Sequence, residues 1–231
     1  GKNNYYYSED GLTDTYDFKL GFYNFFQYPY INPADVMSKI EWMGKACFYQ
    51  IFVDRFKQGN THKDISYINC KWGDIPSPFT YAGGDLKGIT EKLDYIKSLG
   101  CNVIYLTPVF KSKSNHKYDI SNYYETDEQF GTNEDLHKLV ETAHEKNIKI
   151  VLDAVFNHCS EDIMQFRDVC ENGKNSKYYN WFIIHGDSVN ENRDNYETFA
   201  GCKYMPKWNT GNELAAEYLI NIAVHYLKIY D

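Results

Sequence analysis

Residues Ile148–His158 read IKIVLDAVFNH, and this stretch sets the fold. Its first half is a buried strand, since Ile148, Ile150, Val151 and Leu152 are apolar and mostly β-branched. Its second half changes character. Asp153, Asn157 and His158 arrive within six residues at the strand's C-terminal end. An acid, an amide and an imidazole are costly to bury unless each has a partner. In a parallel α/β fold, the C-terminal ends of strands are where ligand sites lie. The plainer reading is a strand that runs out into a polar loop, its three side chains solvated or capping. The surrounding chain raises the site reading above it.

Working outward, the same rhythm recurs. CFYQIFVDRF (47–56) and NVIYLTPVF (102–110) read as two earlier buried strands. Between them GITEKLDYIKSLG (88–100) puts Ile89, Leu93, Ile96 and Leu99 at helical spacing, with Gly100 as a fitting C′ residue. Before Ile148, Thr132 can cap a helix with Asp135 three residues on, and Leu136, Leu139, Val140 and Ala143 share one face. Buried strands alternating with amphipathic helices predict a parallel sheet with right-handed crossovers. After His158 the rhythm breaks. Residues 159–210 are polar and aromatic, too long for a structureless loop, and predict an inserted subdomain over the strand ends. NELAAEYLINIAVHYLKIY (212–230) then predicts a third helix, with Leu214, Leu219, Ile222, Ala223 and Tyr226 inward. The sequence closes at Asp231, where the rhythm calls for a fourth strand. At the other end, residues 1–32 are aromatic-rich and read as short antiparallel strands, with Pro29 and Pro33 marking a linker.

Composition narrows the function classes. A length of 231 residues with 43% hydrophobic content allows a sizeable core. A net charge of −8 argues against nucleic acid or an anionic membrane as partner. Aromatics at 17% suit the flat faces of sugar rings, although packing is their commoner use. Six cysteines include no CxxC pair, so free thiols, no zinc site and a reducing, cytoplasmic setting are expected, with Cys47 and Cys101 as small core residues. No apolar run is long enough for a membrane span. The start GKNNYYYSED has no signal-peptide core, and a leader already removed would leave the same start.

Four further stretches are site material. Asp54-Arg55-Phe56 ends the first strand, most simply as a structural ion pair. FTYAGGDLKGI (79–89) has a tight Gly83-Gly84 turn and Asp85, most simply an N-cap. SKSNHKYDISNYY (112–124) reads as a loop that brings His116, Tyr118 and Asp119 to the rim of His158. Met205-Pro206-Lys207-Trp208-Asn209 closes the inserted segment.

Taken together, IFVDRF, GGDLKGI, LGCNVIYLTPVF, SNHKYDISNYYETDEQFGT, DAVFNH and MPKWN resemble the α-amylase family of glycoside hydrolases over about residues 28–231. More narrowly, they resemble its neopullulanase, cyclomaltodextrinase and maltogenic amylase subgroup, whose short motif usually has Leu where Trp208 stands. The resemblance implies an α/β fold, a (β/α)₈ TIM barrel of which the first three βα units are present. Residues 1–32 would be the end of an N-terminal β-sandwich and linker, 33–158 the first part of the barrel, 159–210 the inserted subdomain and 211–231 the third barrel helix.

It also implies hydrolysis of α-1,4-glucans with retention, by two carboxyl groups about 5 Å apart. The family draws these from the fourth and fifth strands and a third acid from the seventh. The nucleophile and the acid/base are therefore expected beyond Asp231, and no catalytic carboxylate is expected within the sequence. His158 resembles the histidine that binds the primary hydroxyl of the glucose at the cleavage point, and Tyr118 the ring that stacks on that sugar. His116 and Asp119 are weaker neighbours. Asp153 resembles a supporting acid whose partner is an arginine on the fourth strand, so it is expected here without a partner.

Calcium is the one cofactor in question. Asn157 resembles a ligand in classical α-amylases, a site the subgroup often lacks. A second site uses the loop Gln58–Asp64 with the Gly-Gly-Asp turn, where Asn60, Asp64, Asp85 and the Gly83 carbonyl could supply oxygens. Lys63 within that loop works against a dication. The leading reading is the N-terminal part of a glycosidase acting on cyclodextrins, pullulan or starch oligosaccharides. The competing readings are a non-catalytic carbohydrate-binding or partner protein of the same fold, and an inactive fragment. A homodimer of the whole protein is a further, weaker expectation.

Overall fold

The computed structural model describes residues 4–17 and 40–230. The chain divides into two units at Gly44 and Lys45. In the first, β1 (Tyr6–Ser8) and β2 (Gly11–Thr13) form an antiparallel hairpin, pairing Tyr6 with Thr13 and Ser8 with Gly11. The linker expected at Pro29 and Pro33 lies outside the described residues.

The second unit is built on three parallel strands, β3 (Phe48–Ile51), β4 (Val103–Leu106) and, after a hairpin β5 (Phe110–Ser112) and β6 (Ile120–Thr126), β7 (Lys149–Leu152). Their order is β3-β4-β7, and Ile51, Leu106 and Leu152 stand side by side. The C-terminal ends are therefore level, and everything that follows them converges on one rim. Strand order following chain order, with helices between, is the topology the alternating pattern predicts.

Two strands are shorter than their apolar runs, each for a local reason. After Ile51 the chain turns into a 3₁₀ segment, Val53–Arg55, which buries Val53 and Asp54. NVIYLTPVF breaks at Pro108, whose nitrogen has no proton to give a ladder; β4 stops at Leu106 and Phe110 opens β5. The stretch 112–124, expected as a loop, is half strand: from Ile120 it pairs antiparallel with β5 and buries Ile120 and Tyr123.

The helix expected at 88–100 is two pieces, α1 (Leu86–Thr90) and α2 (Leu93–Ser98). Thr90 Oγ1 donates back to Leu86 O at 2.9 Å, a bond that loosens and bends helices, and Lys92 N donates to Ile89 O in a tightened turn. Gly100 follows at φ +83°, while Leu99, expected inside, is half exposed. Helix α3 (Asn133–Glu145) opens with the expected capping box: Thr132 Oγ1 accepts from Asp135 N and Asp135 Oδ2 from Thr132 N. It buries Leu136, Leu139, Val140 and Ala143.

Residues 159–210 hold α4 (Met164–Asn172) and a hairpin of β8 (Thr198–Phe199) and β9 (Cys202–Pro206). Phe166, Val169, Phe182, Tyr196 and Trp208 are buried there in one apolar cluster with the sheet core. The last helix, α5 (Glu213–Tyr230), buries Ala215, Leu219, Ile222, Tyr226 and Tyr230. Ala215 takes the inner place expected for Leu214, one residue and about 100° round the helix. The helix was expected to reach Asp231; it is described as far as Tyr230, and Asp231 lies outside the described residues. Cys101 is buried, but Cys47 is exposed rather than part of the core. Among the described residues no helix is long and apolar enough to cross a membrane.

Candidate functional site

The turn after β7 is held from behind. Tyr123 on β6 donates its hydroxyl to Val155 O at 2.7 Å and lies 3.1 Å from His158 O; Trp208 Nε1 donates to the same hydroxyl at 3.3 Å. In front, Cys159 N donates to Pro206 O and Trp208 N to Asn157 O, and His158 bridges to Lys207. Two stretches far apart in the sequence, DAVFNH and MPKWN, thus pin one another.

His158 is 5% exposed and its ring stacks on Phe199, centroids 4.6 Å apart. The Asn157 amide lies 3.0 Å from Nδ1. With that amide as donor, Nδ1 accepts and the ring proton sits on Nε2. Nε2 is buried, and among the described residues it has no well-formed hydrogen bond. Burial holds the His158 pKa below the usual histidine value, against smaller raising effects from the Tyr118 backbone, Asp119 and Asp153. A pKa held below 6.5 leaves the ring neutral at pH 7.

Asp153 is half-buried and has a partner. Tyr105 on β4 donates its hydroxyl to Asp153 Oδ2 at 2.5 Å. The expectation that this carboxylate stands alone is therefore corrected: a phenol from the neighbouring strand hydrogen-bonds to it. Burial, then the bond to Asp153, raises the pKa of both Tyr105 and Tyr118. Tyr105 was missed in the sequence because VIYL reads as uniform strand; its half exposure between buried Ile104 and Leu106 is visible only once the sheet face is known.

On the neighbouring loop, His116 Nδ1 accepts from Tyr118 N at 3.0 Å and lies 3.1 Å from Ser114 Oγ. Burial lowers its pKa as well, opposed by Asp119. Asp119 is buried and accepts from the Ser112 and Ser114 hydroxyls. Lys117, with φ +60°, is fully buried and reaches Asp127 Oδ2 at 2.9 Å, Gln129 Oε1 at 2.6 Å and Ser112 O at 3.1 Å. That lysine holds the backbone on which Tyr118 is mounted. A cavity of about 520 Å³ opens beside it, between Phe79, Tyr81, His116, Asp119 and Tyr204.

The candidate calcium residues separate. Asn157 is exposed and engaged with His158. Asp64 caps Ser66, and the Asn60 side chain caps His62 N. Only Asp85 and the Gly83 carbonyl share a centre, and the Lys63 ammonium occupies it, 2.8 Å from Gly83 O and 3.2 Å from Asp85 Oδ2. A dication does not fit where an ammonium already sits. Among the described residues no group of three His, Cys, Asp or Glu side chains is placed to hold a metal ion.

Comparison with known proteins follows the same lines. The family described as alpha amylase, catalytic domain, matches residues 50–228. The cyclomaltodextrinase of Thermoanaerobacter pseudethanolicus is 41% identical over 238 residues, covering 98% of this chain and 41% of that protein. A maltogenic α-amylase of Bacillus acidopullulyticus is 44% identical over 209 residues, 90% of this chain and 36% of that one. The cyclic α-maltosyl-(1→6)-maltose hydrolase of Arthrobacter globiformis, solved in complex with that sugar, superposes with a TM-score of 0.77 at 40% identity, over 81% of this chain and 42% of its own. The chain thus spans about two fifths of the length of its curated relatives. A family match over most of the sequence, on three parallel strands in register, shows that the chain belongs to the α-amylase family.

Proposed function

We propose that this chain is the N-terminal part of a retaining glycoside hydrolase acting on α-1,4-glucans such as cyclodextrins, pullulan and starch oligosaccharides. The observation that carries the reading is the buried Nε2 of His158 at the rim, without a well-formed hydrogen bond among the described residues. A donor left unpaired in a dry site is costly, and a sugar hydroxyl supplies the missing acceptor. Tyr118, half-exposed on the adjacent loop, offers an aromatic face to the same sugar ring. A flat ring against axial C–H groups excludes water and rejects axial substituents, which selects glucose. Asp153 supports the site through Tyr105.

On this reading β3, β4 and β7 are the first three strands of a (β/α)₈ barrel, 159–210 is the inserted subdomain, and β1–β2 is the end of an N-terminal β-sandwich. An apolar cleft of about 330 Å³ along Ile150–Leu152 and Tyr226–Tyr230 supports it, since a fourth strand would lie there. The nucleophile and the acid/base belong to barrel elements beyond Asp231, and a homodimer is a property of the whole protein. The test is hydrolysis of maltotriose and a cyclodextrin by the whole protein, with the product anomer followed. Release of the α-anomer is expected. Binding of the sugar without hydrolysis would make it a carbohydrate-binding relative instead.

A further inference from the structure

Lys63 is the least expected side chain at the rim. Its side chain is 6% exposed, and its ammonium lies 2.8 Å from Gly83 O, 2.8 Å from Gln129 O, 3.5 Å from Gly84 O and 3.2 Å from Asp85 Oδ2. Three backbone carbonyls and a carboxylate converge on one positive charge. The charge and its oxygens come from three separate segments: the loop after β3, the Gly-Gly-Asp turn before α1 and the turn between β6 and α3. The Asp85 carboxylate also accepts from Gly59 N, Asn60 N and Gly88 N, so it fastens the first loop to the helix start. The turn has no slack: a Cβ on Gly84 would lie 2.0 Å from Val53 O, and Gly83 sits at φ +83°. Asp54, buried beside it, accepts from Ala82 N and Gly83 N. Two buried carboxylates and inward carbonyls make a strongly negative pocket, and such a pocket needs a cation.

We propose that the Lys63 ammonium is a built-in replacement for a divalent cation, fastening these three loops without metal and excluding calcium from the cage. The arrangement has the donor chemistry of a calcium site, oxygens only and partly charged, but is scaled to N–H···O distances rather than the roughly 2.3–2.6 Å of calcium coordination. A tethered cation cannot be chelated away. It also cannot be lost by dilution, since it is joined to the loop it holds.

The test measures the thermal midpoint of the whole protein with chelator and with millimolar calcium, for the wild type, Lys63→Ala and Lys63→Met. Lys63→Ala empties the cage, whereas Lys63→Met keeps an uncharged chain in it. Both variants are expected to melt lower than wild type in chelator. Calcium is expected to raise the midpoint of Lys63→Ala by about 5 °C or more, and to move Lys63→Met no more than it moves wild type. Equal calcium responses in Lys63→Ala and wild type would overturn the proposal. So would equal responses in the two variants, or a Lys63→Ala midpoint unchanged in chelator. Should the variants not fold unaided, the refolding yield of Lys63→Ala with and without calcium takes the midpoint's place, and equal yields overturn it.

Discussion

Two polar clusters stand on the same rim and are finished differently. Around Lys63 and Asp85 every charge has a partner: four donors on one carboxylate, four oxygens on one ammonium. Around His158 the backbone is equally well tied, by Tyr123 and Trp208, yet among the described residues the ring's Nε2 makes no well-formed hydrogen bond. Burial costs both clusters the same kind of energy. The first recovers it within the chain and is structural. The second leaves that cost unrecovered at Nε2, the feature on which the proposed sugar-binding role rests. A rigid backbone beneath an unsatisfied side chain is what preorganised binding requires.

Breaking another fully satisfied buried pair, Lys117 with Asp127, has the largest expected effect. Lys117→Met in the whole protein strands Asp127, which among the described residues keeps the backbone donors Ser112 N and Gln129 N. The expected loss is about 3–5 kcal/mol by urea unfolding, the scale for removing one partner of a buried pair. A loss under about 1 kcal/mol would mean that backbone donors alone satisfy Asp127. On the unsatisfied side the cost should fall on chemistry. His158→Ala is expected to lower kcat/KM on maltotriose about tenfold or more, with the thermal midpoint near wild type. An unchanged kcat/KM would move His158 to the structural group.

Tyr118 sharpens the contrast further. Tyr118→Ala should weaken oligosaccharide binding well beyond Tyr118→Phe, because Tyr105 still satisfies Asp153 when the Tyr118 hydroxyl is gone. Equal titration curves for the two variants would assign the effect to the hydroxyl and not to stacking. The smallest effect concerns acid. His158 and His116 both have folded pKa values lowered by burial from the ordinary 6.5. The folded state then binds fewer protons than the unfolded state, so stability falls as pH drops below about 6.5 and levels off below the folded values. His158→Gln should flatten that part of the stability–pH curve; an identical curve would show that the ring protonates freely in the fold.

Much of this was legible in the residues alone. Helix α3 follows directly from its own sequence, cap and buried face included, because a capping box and a 3.6-residue apolar repeat are local signals. The order β3-β4-β7 follows from alternation, and Asp153 and His158 stand at a strand end because IKIVL runs out of apolar residues there. What depended on contacts between distant residues was not legible. Tyr105 meets Asp153 only when β4 and β7 pair in register, and Phe199 covers His158 only after the β8–β9 hairpin folds back. Lys63 reads as a charge that spoils a metal loop; the fold shows it inside an oxygen cage that ties three segments together. Patterning along the chain determined which elements form and which polar residues reach the rim. Tertiary structure alone decided which of those residues are paired and which is left open, since a hydrogen bond across strands or loops depends on positions that no short stretch of sequence specifies.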